Sequence, residues 1–480
     1  MFNFGALFNI FRVPELKRKV LISLALLLVY RIGAHVPSPF IDATLVREKL
    51  GGAAQGMFGV VDMFSGGAFS QMTIFALGIM PYISASIIIQ LLAAVWPRLE
   101  KISKEGEAGR KKITQLTRYG TVALAFFQGL GIGVWMLELG VSQLPNSYGY
   151  RLAFLLITAM TMCTGTCFIM WLGEKITQHG IGNGISLIIA VGIIARYPLD
   201  FRLAIMSIKS QAMSPMGLIM LLALTVVVTA LIIINQQASR RVPIQHAQRM
   251  VGHKIMGGGN TYIPLKLNTA GVIPVIFASA ILSFPTMILP YMGMEQASGP
   301  AAVLSDWLRR DSGHNLYELC SFGSGGVFNL FKVVNLWTLI YVFLTAAFCF
   351  FYTAITLNPE DLADNLKKSN AFIPGIKPGR HTADYVDHIL MRITIVGAAI
   401  LVVIALVPEI LAVGYGFNWQ VSQVAGGTGL IIVVGVFLDT MKQIESQLMM
   451  RHYEGFKFTG AGRGGRHVAI RTKRTVRGGS

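Results

Sequence analysis

Runs of about 20 apolar residues recur along the whole of this chain, each long enough to cross a hydrocarbon core as one helix. In lipid, a backbone must satisfy its own N–H and C=O groups, which leaves such runs little choice but to form membrane-spanning helices. The composition agrees. Of 480 residues, 53% are hydrophobic and 13% charged, too little charge to cover a soluble domain of this length. Ten spans are predicted, at about 20–38, 73–96, 117–139, 152–172, 183–198, 215–235, 271–292, 335–357, 391–413 and 424–441. The first carries no small-residue cleavage site after it and reads as a signal-anchor helix.

The net charge of +18 acts first as a topology signal, because cytoplasmic loops collect Lys and Arg. Under the ten-span count roughly three quarters of the 41 basic residues fall on one side, which predicts that both termini are cytoplasmic. Two connections on that side, 236–270 and 358–390, are basic and longer than a helical hairpin needs. The opposite loop 293–334 is Gly/Ser-rich and reads as a surface loop. After about residue 460 the tail reads as disordered and basic: either solvated, or touching anionic lipid or RNA.

The second span is the most informative. Phe75–Leu92 is apolar enough to span a bilayer, yet it contains Pro81, Ser84, Ser86 and Gln90. A mid-span proline predicts a bend, and polar groups at membrane depth need partners or a water-filled path. Such a helix reads as the wall of a path. Catalytic signatures are missing. There is no Gly-Lys dipeptide for a P-loop, no His-Glu-x-x-His, and no pairing of serine with histidine in the spans. No catalytic residue, metal site or cofactor is expected. Cys163, Cys167 and Cys349 read as packing residues, and Cys320 lies alone in a loop. Gly129-Leu-Gly-Ile-Gly133 reads as a small-residue packing face. Ionisable residues assigned to the spans are Arg31, Glu138 and Asp439, all near span ends. This scarcity weighs against an ion-coupled transporter, which keeps charges near the midplane.

Several longer motifs carry a resemblance. They include Met63-Phe-Ser-Gly-Gly-Ala68, Lys104-Glu-Gly-Glu-Ala-Gly-Arg-Lys-Lys112, Thr117-Arg-Tyr-Gly120, Trp171-Leu-Gly-Glu174, Gly180-Ile-Gly-Asn-Gly-Ile-Ser186, Ala270-Gly-Val-Ile-Pro274, Asp364-Asn-Leu-Lys-Lys368, Phe372-Ile-Pro-Gly375 and Gly426-Gly-Thr428. With these the chain resembles the bacterial SecY family, the pore subunits of the general protein-export translocon, from the first span to about Phe456. The resemblance implies an all-α polytopic membrane protein: two inverted five-helix halves around an hourglass pore in the plasma membrane. The halves would be 20–198 and 215–441, with a cytoplasmic segment 1–19, an external loop 199–214 and a tail 442–480.

It also implies roles. Ile79, Ile83, Ile185, Ile189, Ile276 and Ile432 would form the pore ring, whose apolar side chains offer ions no ligands. Residues 56–70 would form a plug, with Val60, Val61, Met63 and Phe64 against that ring and Asp62 discouraging burial in lipid. Ser84, Gln90, Gln128, Asn268 and Thr269 would be polar contacts of a lateral gate between spans 2 and 3 and spans 7 and 8. Arg240, Arg241 and Lys377 would dock the SecA motor or the ribosome. Lys377 stands where the family usually has arginine, and Gly429 where it usually has serine. The implied partners are SecE-like and SecG-like small subunits, SecA, the ribosome, signal peptides with unfolded preproteins, and lipid. The residues alone leave open a solute transporter or a poreless scaffold or insertase.

Overall fold

The structure is a computed structural model that describes residues 13–42, 44–46, 48, 59–143, 145, 147–211, 213–246, 249–251, 254–256, 260–288, 336–414, 417 and 419–460. Loop 293–334 with Cys320, the first residues of the expected plug, and the tail beyond 460 lie outside them.

The elements run α1 (Pro14–Gly33), α2 (Gly59–Ser65), α3 (Met80–Val95), α4 (Pro97–Lys104), α5 (Glu107–Glu138), α6 (Tyr148–His179), α7 (Gly184–Lys209) and α8 (Pro215–Gln237). Strands β1 (Ser239–His246), β2 (Arg249–Val251), β3 (Lys254–Met256) and β4 (Asn260–Lys266) follow. Then come α9 (Ile273–Ile288), α10 (Leu336–Thr356), α11 (Pro359–Lys368), β5 (Ala371–Phe372), α12 (Arg380–Glu409), a π turn Ile410–Gly414, α13 (Trp419–Val424) and α14 (Gly427–Gly460).

Among the described residues, seven helices are long and apolar enough to cross a membrane, or eight if α3 and the segment after it, bent by 105°, count as one span. The helices α1 and α9, read above as spans 1 and 7, fall outside that set.

The bend in the second span is not where the sequence reading put it. Pro81 lies in the first turn of α3, where the amide it lacks would have had no helical partner. Residues between Gly66 and Ile79 form a chain of turns, with Gly78 at φ +57. The sharp turn comes at Trp96, which Pro97 forces into extended backbone.

Spans 3, 4 and 5 are longer than predicted. At 32 residues each, α5 and α6 reach about 48 Å, well beyond a hydrocarbon core of about 30 Å. They pack through the expected small-residue face: a β-carbon on Gly129 would lie 3.0 Å from the Cα of Ala159. Asn183 caps α7 by accepting from the amide of Ile185, and the helix then runs through Pro198 to Lys209. Most of the expected external loop 199–214 is therefore helical. Likewise α14 continues through much of the expected tail, to Gly460.

The two long basic connections are not all-helical loops. In β1, Val242 and Ile244 alternate inward with exposed neighbours and are buried beside Leu265, Leu366, Ile373 and Ile389. Three strands form a sheet in the order β4-β1-β5, with Gln245 opposite Phe372 and His246 opposite Ala371. The first long connection supplies β1 and β4, and the second supplies β5. Strands β2 and β3 pair separately as a hairpin.

One apolar cluster runs through the middle of the molecule. It takes side chains from α1, α2, α3, α6 to α10, α12 and α14.

Candidate functional site

The six isoleucines all lie in or against one apolar cluster. Ile79, Ile83, Ile189, Ile276 and Ile432 are all buried in that central cluster, and Ile185 packs against it half-buried. Ile79 immediately precedes α3 and Ile83 lies in its first turn. Ile185 and Ile189 are four residues apart and so share one face of α7. Ile276 comes from α9 and Ile432 from α14. These side chains are β-branched, stiff and without polar atoms, so they offer no group that could replace an ion's hydration shell.

Helix α2 sits against this junction and packs on α7 and α9. Met63 and Phe64 belong to the central cluster, whereas Val61 faces a second one containing Phe69, Met72 and Trp135. Val60 lies in the helix. Met63 fills the space left by the missing side chain of Gly429, where a β-carbon would stand 3.1 Å from its sulfur. The family-typical serine would crowd that contact. Two glycines in left-handed backbone, Gly66 at φ +68 and Gly67 at φ +85, carry the chain out of α2.

Asp62 does more than resist lipid. It is buried and accepts from Nη1 of Arg196 at 2.6 Å and from the amide of Ser70 at 2.9 Å. The end of α2 is also held by α1. Tyr30 Oη donates to the carbonyl of Ser65 at 3.3 Å, and Arg31 Nη1 to that of Gly66 at 3.0 Å. Arg31, assigned above to a span end, thus contacts the α2 hinge.

Ending span 5 at residue 198 leaves Asp200 outside it, and Arg196, at its edge, is counted with the external basic residues, so the sequence reading passes over both. Arg196 Nε lies 3.4 Å from Asp200 Oδ1, one turn further along α7. The signal was present: an Arg-x-x-x-Asp pair spaced to share one helix face.

The five expected gate residues are placed differently. Helices α3 and α9 pack together, so a seam between spans 2 and 7 exists. The hydrogen bonds of its polar residues stay within their own elements. Gln90 Nε2 donates to Ser86 Oγ at 3.0 Å, Asn268 Nδ2 to the Gly271 carbonyl at 2.8 Å, and Thr269 Oγ1 to the Lys266 carbonyl at 3.2 Å. Ser84 is half-buried. Gln128 is buried, and its Oε1 has no partner among the described residues.

The docking candidates are exposed. Arg240 and Arg241 lie on β1 opposite Leu265 and Pro264. Lys377 lies in the turn between β5 and α12, flanked by Gly375 at φ +83 and Gly379 at φ +105, and its carbonyl accepts from Thr382 Oγ1. Because β1 pairs with β5, the three basic residues belong to one folded unit.

Two of the sequence motifs are tied together. Arg118 of Thr117-Arg-Tyr-Gly120 donates from Nε and Nη2 to the two carboxylate oxygens of Glu174 in Trp171-Leu-Gly-Glu174, at 2.7 and 2.6 Å. This fork-to-fork pair locks α5 to α6.

Comparison with known proteins places this arrangement. The SecY family model matches residues 73–441. The protein translocase subunit SecY of Streptomyces coelicolor is 44% identical over 458 residues, covering 93% of this chain and 98% of that protein. That of Escherichia coli is 41% identical over 444 residues, covering 92% and 93%. Among solved structures, a protein-conducting channel aligns with TM-score 0.60 at 17% identity, over 90% of this chain and 92% of that one. Sec61 in the canine ribosome-channel complex aligns with TM-score 0.57 at 16% identity, over 90% and 92%. A multi-pass membrane protein that is mostly helical, matches the family model over most of its length and keeps more than two-fifths identity to curated relatives belongs to the SecY family.

Proposed function

We propose that this chain is the central pore subunit of a Sec translocon. It is a passive channel that passes unfolded secretory proteins across the bacterial plasma membrane and releases membrane proteins sideways into it. The observation that supports this reading is the packing of the six isoleucines, from α7, α9, α14 and the start of α3, in or against one apolar cluster that α2 also joins. A path for chains of any sequence needs a constriction without specific binding groups, and an apolar ring supplies one that dewets when narrow. Helix α2 is the plug over that ring. Passage of this kind makes or breaks no covalent bond, so the chain is not an enzyme.

Ten spans follow if α1 and α9 cross the membrane beside the eight longer segments. Both termini, the β1–β4 connection and the α11–β5 connection then face the cytoplasm. The sheet with Arg240, Arg241 and Lys377 is the docking surface for a SecA motor and for the ribosome. SecE-like and SecG-like subunits complete the complex. The α3–α9 seam, with α5 and α10 beside it, is the exit for apolar segments, and its polar residues make it less oily than lipid.

The test is reconstitution. The chain, purified with its SecE-like partner into vesicles, is supplied with SecA, ATP and an unfolded preprotein. Protease-protected preprotein inside the vesicles is expected. Its absence, with the complex inserted and SecA bound, would sink the channel reading.

A further inference from the structure

The geometry points to Arg196 and Asp200 as positioning residues of the plug: Arg196 holds Asp62 while the plug is seated, and Asp200 takes over the guanidinium when the plug leaves. This deepens the channel reading and rests on it.

Three charged side chains meet in a nearly dry place. The side chain of Arg196 is 10% exposed and that of Asp62 7%, with that of Asp200 at 5%. The guanidinium is shared unequally, 2.6 Å to the plug carboxylate and 3.4 Å to the carboxylate on its own helix. That order has a physical cause. An Arg followed by Asp four residues later has the less favourable orientation for a helical pair. Asp62 comes from a separate element without that handicap, so at rest it is the stronger partner.

Removing one member of a buried ion pair normally leaves an uncompensated charge, which costs far more than the pair itself contributes. A plug fixed by a single pair would therefore be slow to leave. The second carboxylate removes that obstacle. When Asp62 departs, Arg196 needs only a side-chain rotation to close on Asp200, because residues one turn apart already share a helix face. The surroundings suit the exchange. Arg196, Asp200, Tyr197 and Gln423 line a small cleft with room for about one water molecule, with Met63 of the plug as part of its wall. Tyr197 Oη and Gln423 Oε1 are buried without hydrogen-bond partners among the described residues, so the cleft has spare polar groups for water that enters behind the plug.

The two carboxylates therefore have opposite effects, and substitution separates them. Asp62→Asn, Arg196→Gln, Arg196→Lys and Asp200→Asn are made in the full complex. Resting conductance in planar bilayers is measured, together with signal-peptide-induced conductance. Labelling of the buried Val61→Cys by an impermeant maleimide reports plug position. Asp62→Asn and Arg196→Gln are expected to raise resting conductance and labelling roughly tenfold. Arg196→Lys should recover most of the seal, since charge rather than packing is required. Asp200→Asn should do the reverse, keeping the resting seal and lowering peptide-induced opening. If Asp200→Asn leaks as Arg196→Gln does, Asp200 merely braces α7 and the relay is wrong. Unchanged conductance and labelling in both Asp62→Asn and Arg196→Gln would also overturn the proposal, leaving the channel reading intact as long as the parent complex still translocates a preprotein. Failure of the parent itself would overturn the channel reading on which the relay rests.

Discussion

A β-carbon on Gly66 would stand 2.8 Å from the Cα of Gly192, so α7 and the turn that follows α2 meet backbone against backbone. Neighbouring Gly67 has the same left-handed conformation and nothing within 4 Å of its β-position. Either glycine changed to alanine incurs roughly 1 kcal/mol for the left-handed backbone. Only Gly66→Ala must also push α7 and the plug apart. Resting conductance should therefore rise in Gly66→Ala and stay near the parent value in Gly67→Ala. Equal leaks from both would show that backbone strain, not the contact with Gly192, sets the seal.

Ile432 is fully buried at the junction of α14 with α7 and α9. In Ile432→Asn an amide replaces a butyl group that excludes water. An unpartnered buried amide costs about 1–3 kcal/mol, and the least costly remedy is to admit water. A resting ion leak and acceptance of defective signal sequences are expected. A dry, non-conducting Ile432→Asn channel would take this residue out of the ring.

The parts legible in the sequence were those that a short pattern determines. Hydropathy gave the long helices, and the motif match named Ile79, Ile83, Ile189, Ile276 and Ile432, which share one apolar cluster, and Ile185, which packs against it. Features that depend on the local competition of elements were not legible. Pro81 is as compatible with a first turn as with a mid-helix kink, and only the turns before Met80 decide between them. The end of α7 was missed because Pro198 and Asp200 resemble a stop, although Ala204 beyond them packs in one apolar cluster with Leu221 of α8 and Val421 of α13. The third strand of the sheet was missed because the pairing of Gln245 with Phe372 joins segments more than a hundred residues apart. No window along the chain contains both.

Lys377 is exposed beside Arg380 at the start of α12. If docking uses charge alone, Lys377→Arg should leave SecA-driven export unchanged, and Lys377→Glu should reduce it severely. If a bidentate contact has been lost in this chain, Lys377→Arg should raise export. Export in vesicles, with insertion checked, distinguishes the two. A normal rate in Lys377→Glu would move the docking role to Arg240 and Arg241.

Sidedness is testable with single cysteines at exposed positions. Tyr262→Cys and Lys377→Cys should resist an impermeant thiol reagent in intact cells, and Lys209→Cys should label. Labelling of Tyr262→Cys would undo the ten-span topology.

The cross-pairing of β1 with β5 also has a mechanical meaning. The first connection is anchored in α8 and α9, and the second in α10 and α12. Two flexible feelers could each be tugged without disturbing the other. A shared sheet instead behaves as a stiff yoke across four helices, and a load on either arm is felt by both. One of those four, α9, carries Ile276 and lies against both α2 and α3. Anything that grips the yoke therefore has leverage on α2, on α3 and on the cluster around Ile276 through a single helix.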